Sequence, residues 1–386
     1  AIIKIADLED ILVNQPRVLQ MIKEEHIELM DRFGDERRTE IGAEITNVNM
    51  EDLIPKQTVA LLRTQKGFIK RMAMSNFRSQ LRGGRGVSGM STRDEDIINQ
   101  IAITSSHDFI LCFTSSGKVH KIKAYQIPES SRASKGLSIN HLFELDEGET
   151  ITSLIPVSTF DSEEYLLMCT KRGVIKKTDV SSFSYFKTKA IRAISLDDED
   201  ELTWVLKSNG DKDIILATSD GMVIRFDESQ VRAMGRTSRG VRAIKIKPAD
   251  QLVSVSLIDP GTVKLFLLLI TSKGFGKNIR VDEFKVQNRG GVGVKALKFR
   301  KTVPGDKVTD AEVVERFDEV IVATQNGTIC RQKVENISIQ RRTSQGVKIV
   351  KLDGNDDVMS MAKVIQDVEE EDSLNNDNSK KDEVLV

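Results

Sequence analysis

One pattern recurs six times along this chain. An apolar run leads into a short polar turn containing glycine, and a second apolar or basic run follows. The copies read VALLRTQKGFIKRM from Val59, FILCFTSSGKVHKI from Phe109, YLLMCTKRGVIKKT from Tyr165, DIILATSDGMVIRF from Asp213, LFLLLITSKGFGKNI from Leu265 and EVIVATQNGTICRQ from Glu319. Their glycines, Gly67, Gly117, Gly173, Gly221, Gly274 and Gly327, are separated by 50, 56, 48, 53 and 53 residues. A period of this size marks a repeat architecture, in which one unit cannot bury its own hydrophobic face and depends on its neighbours.

Each unit reads as a hairpin. The first run is almost continuously apolar, as expected of a strand covered on both faces. Dipeptides such as Lys66-Gly67, Ser116-Gly117, Asp220-Gly221 and Asn326-Gly327 suit tight turns, where glycine accepts positive φ. The second run alternates, for example Val119, Lys121 and Lys123 against His120 and Ile122.

A second glycine is phased with the first. It follows nineteen residues after five of the six turn glycines, as Gly86, Gly136, Gly240, Gly293 and Gly346; the third unit has Ala190, seventeen residues on. A basic loop ends at each of these positions: QLRGGRG (80–86), RASKG (132–136), FKTKA (186–190), RTSRG (236–240), NRGGVG (288–293) and RRTSQG (341–346). Further apolar or alternating stretches follow, such as VRAIKI from Val241 and VKALKF from Val294. Each unit therefore holds about four short strands, and six units predict an all-β, propeller-like closed radial array of four-stranded antiparallel sheets. Closure protects strand edges. An open solenoid is the alternative.

The ends lie outside the repeat. Residues 7–33 read as helical, with Val18, Ile22, Leu29 and Phe33 at helical spacing, Asn14 as a cap, Pro16 in a first turn and Gly34 as a stop. The tail from Asp367 is acidic and poor in apolar residues, and is expected to be disordered. The predicted organisation is a helical segment at 1–41, repeats at 42–366 and the tail at 367–386. The beginning, Ala1-Ile2-Ile3-Lys4, is neither a signal peptide nor an initiator methionine, and reads as a cut inside a longer protein.

Charge follows the same division. Residues 1–41 carry −4 and residues 367–386 carry −6, so the body between carries +9 within a net charge of −1. A basic body between acidic ends suggests a polyanionic partner. No apolar run approaches the ~20 residues of a membrane helix. Cys112, Cys169 and Cys330 are far apart in strand-like runs, and read as core residues in a reducing compartment.

The basic loops carry the functional expectation. Arginine donates paired hydrogen bonds to phosphate, and successive glycines such as Gly83, Gly84 and Gly86 leave amides able to face an anion. Six such loops in phase would form a track for duplex DNA, held through its backbone without base reading. The alternative is that these are solvated loops whose glycines only serve turns. The candidate DNA-binding residues are Gln80, Arg82, Gly83, Gly84, Arg85, Gly86, Arg132, Lys135, Lys187, Lys189, Arg236, Arg239, Arg289, Arg341 and Arg342. Catalytic signatures are missing. His26, His107, His120 and His141 do not cluster with cysteines or acids at metal-ligand spacing, and there is neither a nucleotide-hydrolase phosphate loop nor a Gly-x-Ser-x-Gly elbow. The pairs Asp197-Asp198 and Asp356-Asp357 read as solvated turns.

QLRGGRG resembles the seven-residue box of the DNA gyrase A subunit family, usually written Q-R-R-G-G-K-G. Gln80, Arg82, Gly83, Gly84 and Gly86 match; Leu81 and Arg85 depart, the latter keeping its charge. The other five loops look like degenerate copies. The resemblance covers nearly the whole chain, with GDERRTEI (34–41) similar to the end of the helical stretch that closes the breakage–reunion region. It implies a six-bladed β-pinwheel in which neighbouring blades exchange a strand. It implies wrapping of duplex DNA with positive handedness, to present a segment for ATP-dependent negative supercoiling. It further implies a non-catalytic part of a cytoplasmic, nucleoid-associated type II topoisomerase of two A and two B subunits, with ATP and Mg used on other parts. The family's catalytic tyrosine follows an arginine, whereas the tyrosines here follow Ala124, Glu164 and Ser184. The nucleophile is thus expected outside this chain, which itself is expected to need no cofactor or metal. Rival readings are the C-terminal domain of the topoisomerase IV A subunit, a protein-interaction propeller, which would predict apolar or acidic loops, and a propeller enzyme, which would need convergent acids, histidines or a metal.

Overall fold

The computed structural model describes residues 2–35, 39, 50–64, 66–73, 98–131, 134–161, 163–186, 190–326, 328–352, 354 and 356–364. The chain forms two compact units, Ala1–Leu53 and Ile54–Val386. The expected boundary at 41/42 and the acidic tail at 367–386 lie outside the described residues.

In the first unit the expected single helical stretch is two helices, Ile2–Val13 and Gln15–Phe33, broken at Asn14. Asn14 holds the cap position with φ −100°, but its side chain makes no capping bond. Its carbonyl accepts from Arg17 and Val18 at 3.0 and 3.2 Å instead. Pro16 lies in the first turn of the second helix, where its missing N–H costs nothing. Arg17 ties the helices by pairing with Asp7 and Asp10.

In the second unit every repeat opens with an antiparallel hairpin. The pairs are Thr58–Thr64 with Phe68–Ala73, Phe109–Thr114 with Lys118–Lys123, Tyr165–Thr170 with Val174–Asp179, Asp213–Thr218 with Met222–Asp227, Phe266–Thr271 with Phe275–Arg280, and Glu319–Thr324 with Ile329–Lys333. A threonine starts each turn: Thr64, Thr114, Thr170, Thr218, Thr271 and Thr324. Its hydroxyl accepts the backbone N–H four residues on, at 3.0 to 3.4 Å. The five described turn glycines have φ between +74° and +80°, where a side chain is strained.

A third strand pairs with the first of each hairpin: Ile98–Ser105, Ile151–Val157, Leu202–Ser208, Leu252–Ile258, Val308–Val314 and Val358–Lys363. The fourth strand is two residues long and comes from the following unit. Leu137–Ser138, Ile191–Arg192, Val241–Arg242, Val294–Lys295 and Val347–Lys348 pair with the second strands of blades one to five. Neighbouring blades thus exchange a strand, as the resemblance implied. The sixth sheet has three strands among the described residues. The first unit's loop and the stretch after it, residues 74–97, lie outside them.

Third strands of consecutive blades pack against each other from the first blade to the sixth, so these edges converge at the hub. The exchanged strands, at the opposite edge of the first five sheets, lie at the rim. One apolar cluster fills each of the five joints between consecutive blades; Leu111 and Phe113 of blade two, for example, meet Leu166 and Met168 of blade three. Ile110 and Cys112, on the opposite face of the same strand, belong to the joint with blade one. Two-faced burial explains the continuous apolar runs, and each large side chain so buried contributes about 1.5–3 kcal/mol. The unit is a six-bladed β-propeller.

Polar stitches cross the same joints. At the hub, Gln100 donates to Leu154 O at 2.8 Å, Ser153 accepts from Val205 N–H at 3.2 Å, Ser254 donates to Ala311 O, and Asp310 accepts from Met361 N–H at 2.9 Å. Further out, Arg71 reaches Ile127 O at 3.0 Å, Lys121 reaches Ser184 O at 2.7 Å, and Asn278 reaches Val334 O at 3.0 Å. Much of the basic alternation in the second strands is therefore committed to joining blades.

Candidate nucleic-acid interface

The described residues of the basic loops of units two to six lead directly into an exchanged strand, and so stand at the rim. Of the candidate residues, Gln80, Arg82, Gly83, Gly84, Arg85, Gly86, Arg132, Lys187 and Lys189 lie outside the described residues. The others reach the rim by different routes. Lys135 is exposed, with its ammonium 4.3 Å from the centre of the Phe68 ring. Arg239 is exposed and pairs with Asp197 of the preceding unit. Arg341 is exposed; Arg236 and Arg342 are half-buried. Arg289 turns inward. Its guanidinium donates to Gln230 O at 3.2 Å and to Arg242 O, while its N–H donates to Gln230 Oε1 at 2.7 Å.

The phased glycines have a use that the sequence did not reveal. A Cβ on Gly136, Gly240, Gly293 or Gly346 would lie 2.6 to 2.7 Å from a carbonyl oxygen of the preceding blade: Ile69, Ile175, Val223 and Gly276 respectively. All four have φ between +71° and +94°. They let the exchanged strand land on the previous blade. The close approach they permit is to protein backbone.

Two sets of residues were missed by the sequence reasoning. The first is the outward half of the exchanged strands. Arg192, Arg242, Lys295 and Lys348 are all exposed, with Ile191, Val241 and Val294 turned inward at half-buried positions. The signal was available in the stretches following the loops of units three to six, where a basic residue comes second after an apolar one. The second set is internal. Lys70, Lys176 and Lys277 occupy the same register position in blades one, three and five, and each is 0% exposed. Lys70 Nζ donates to Ser131 O at 3.2 Å and Ser134 O at 3.0 Å. Lys176 Nζ donates to Ala193 O at 2.6 Å and to Arg236 O. Lys277 Nζ donates to Arg341 O, Arg342 O and Ser344 O at 2.7, 2.8 and 3.1 Å, and to Ser344 Oγ at 2.9 Å. Burial pushes Lys176 and Lys277 down to about 8; Arg236 adds to this at Lys176, and Glu283 opposes it at Lys277. Lys70 is lowered by burial as well.

The acid pairs are less solvated than expected. Asp356 is buried and accepts from Asn326 N–H at 3.0 Å, fixing the last hairpin turn, and Asp197 holds Arg239. Cys112 and Cys169 are buried free thiols, pushed up by burial. Among the described residues no three His, Cys, Asp or Glu side chains are grouped to hold a metal ion, and no helix is long and apolar enough to cross a membrane.

Known proteins share this arrangement. The family model described as "DNA gyrase C-terminal domain, beta-propeller" matches six consecutive segments, 61–105, 108–158, 164–209, 212–259, 266–315 and 318–365, one per blade. The DNA gyrase A subunit of Staphylococcus aureus (strain COL) is 38% identical over 369 residues, covering 95% of this chain and 41% of that protein. Its Staphylococcus epidermidis counterpart is 38% identical over 362 residues, covering 93% and 40%. The chain thus spans about two fifths of the length of the curated relatives it matches. Among solved structures, the C-terminal domain of DNA topoisomerase IV superposes with a TM-score of 0.71 at 25% identity, covering 81% of this chain and 94% of that one. The DNA gyrase A C-terminal domain superposes with a TM-score of 0.62 at 26% identity, covering 80% and 100%. Six matched segments, one for each blade of a strand-exchanging propeller, settle the kinship: this chain belongs to the DNA gyrase C-terminal β-propeller family.

Proposed function

We propose that this chain binds duplex DNA along its rim and wraps it with positive handedness. The wrapped segment is presented to a gyrase holoenzyme of two A and two B subunits for ATP-dependent negative supercoiling. The observation that carries this reading is the rim placement of the basic loops together with Arg192, Arg242, Lys295 and Lys348 on the exchanged strands. A track of this kind contacts phosphates without reading bases, and its affinity falls steeply with salt. Bending a 20–30 base-pair site by 40–90° costs on the order of 1–6 kcal/mol, which distributed phosphate contacts can offset.

The test is to ligate nicked plasmid in the presence of this chain, remove the protein and read the linking number. The expected result is a positive shift that grows with protein, fades with salt and shrinks in an Arg82→Ala/Arg85→Ala variant. No shift at low salt with folded protein overturns the wrapping reading. The close superposition on the topoisomerase IV domain favours a second reading, in which this chain is the corresponding domain of that enzyme. A shift unchanged in the double variant would support it, because the wrap would then rest on the other loops.

A further inference from the structure

The rim loops are of two kinds, and the kinds alternate. Units two, four and six carry Arg-x-Ser-x-Gly: Arg132 to Gly136, Arg236 to Gly240 and Arg342 to Gly346. Units one, three and five carry RGGRG, KTKA and RGGVG instead. The first kind coincides with the lysines. Lys70, Lys176 and Lys277, in blades one, three and five, bond backbone carbonyls in the loops of units two, four and six: Ser134 O, Arg236 O and Arg342 O respectively. In each of these loops the serine N–H closes a turn onto the carbonyl three residues back at 3.1 Å: Ser134 to Ser131, Ser238 to Gly235 and Ser344 to Arg341. The positions equivalent to the lysines in blades two and four hold His120 and Ile224.

Strand exchange does not need these lysines. Blades two and four accept the exchanged strand in the same register, and Gly293 lands on the Val223 carbonyl without one. Burying an ammonium is costly unless its donors are satisfied, and at Lys176 they are satisfied by two backbone carbonyls, Arg236 O in the fourth unit's loop and Ala193 O just past the third unit's exchanged strand. A costly group that the strand exchange can do without, bonded to the segment that carries the basic side chains, is placed for the sake of that segment. Fixing the loop backbone removes conformational freedom that binding would otherwise have to remove. We infer that Lys70, Lys176 and Lys277 are positioning residues for DNA: each locks the following unit's loop in the shape that holds an exposed basic side chain at the rim, Lys135, Arg239 and Arg341 respectively, so that alternate stations of the rim are preset before DNA arrives. This inference rests on the wrapping reading.

The experiment compares the wild-type chain with Lys176→Met/Lys277→Met, which keeps side-chain length and removes the donors. A Ser238→Ala/Ser344→Ala variant loosens the same loops by removing the hydroxyls that donate to Gly235 O and Arg341 O at 2.8 and 2.9 Å, and keeps the lysines in place. Melting, hydrogen exchange at the Ser238 and Ser344 amides, and the linking-number shift at saturating protein are read well below the melting temperature. The expected result is folded protein, amide exchange faster by tenfold or more at both loops, and a shift per bound chain cut to half or less in the lysine variant and by a smaller fraction in the serine variant. If the lysine variant does not fold, the serine variant decides alone, with loss of shift supporting the inference and an unchanged shift overturning it. A wild-type shift that survives in folded variants with mobile loops overturns this inference and leaves wrapping intact. A wild type with no shift overturns both.

Discussion

The rim loops of the fourth and fifth units solve one problem in opposite ways. In RTSRG the anchor comes from below: Lys176 of the third blade holds the Arg236 carbonyl, and Arg239 stays at the surface. In NRGGVG no lysine lies beneath, since Ile224 occupies that place, and the loop's own Arg289 bends back to hold Gln230 O and Arg242 O. Both loops are basic in sequence, yet one offers its arginine outward and the other uses it up. A count of basic residues therefore overstates the number of side chains available to a phosphate.

What the two loops share should give the largest effect. Gly240 has φ +94° and its Cβ would lie 2.7 Å from Ile175 O; Gly293 has φ +71° and would meet Val223 O at 2.6 Å. Alanine at either position combines backbone strain with a clash against a carbonyl that belongs to a neighbouring blade. Both substitutions should cost about 3 kcal/mol or more in urea unfolding, and by similar amounts. A Gly240→Ala chain as stable as wild type would show that the loop can land elsewhere.

The arginines should then separate the loops. Arg289→Ala removes a half-buried guanidinium from two backbone carbonyls and should destabilise by about 1–2 kcal/mol. Arg239→Ala removes one member of an exposed ion pair and should change stability by less than about 0.5 kcal/mol. It should nonetheless lower the slope of log binding constant against log salt by about 0.9, the value of one phosphate contact on duplex DNA. If Arg289→Ala proves thermodynamically silent and takes the larger salt effect, the contrast between the loops is reversed.

A second contrast between these units lies at the hub. Ser254 and Asp310 hold equivalent positions and both stitch their blade to the next, but only Asp310 titrates. Burial pushes Asp310 up to about 7, opposed by its bonds from the Met361 and Ala311 N–H groups, and pushes neighbouring Glu312 up to about 7 as well. A carboxyl with a raised folded-state pKa favours the fold in its protonated form. That stability is complete below the unfolded pKa near 4 and is lost as pH rises through about 7. Thermal midpoints should therefore be higher at pH 5 than at pH 8 as far as these groups decide. Asp310→Asn should raise the midpoint at pH 8 by roughly 2–4 °C and by less at pH 5, where only part of the stability has been lost. A Ser254→Ala chain should show no such pH dependence of its effect.

These contrasts mark how far the sequence could be read. Six phased hairpins, the four-strand unit and the basic loops were legible because turn glycines and apolar runs are local signals. The exchanged strands were not legible from residues alone: two residues such as Val241-Arg242 are too short to carry a period, and their partner lies in another unit. The buried lysines were hidden for a related reason. Lys176 is followed by Lys177 in the same strand, and only the register of the folded hairpin sends the first to the loop carbonyl of Arg236 and the second toward Glu228. Aligning the six units by their turn glycines would have exposed the alternation of lysine with His120, Ile224 and Cys330.

The smallest expected effect tests whether Arg239 faces DNA or is held by its partner. Asp197 lies in the preceding unit, and its carboxylate pairs with the Arg239 guanidinium at an exposed position. Such a pair contributes only about 0–1 kcal/mol to stability, because solvent and salt screen it. A phosphate arriving at the rim must compete with that carboxylate, and the like charge of Asp197 opposes the DNA backbone as well. Asp197→Asn removes both obstacles and leaves the loop anchored by Lys176. Affinity for duplex DNA should rise by roughly two- to threefold at low salt and converge on the wild-type value as salt increases. The gain should vanish when Arg239→Ala is added. A gain that persists in the double variant would assign the effect to general charge rather than to this pair, and Arg239 would then join Arg289 among the arginines spent on the protein itself.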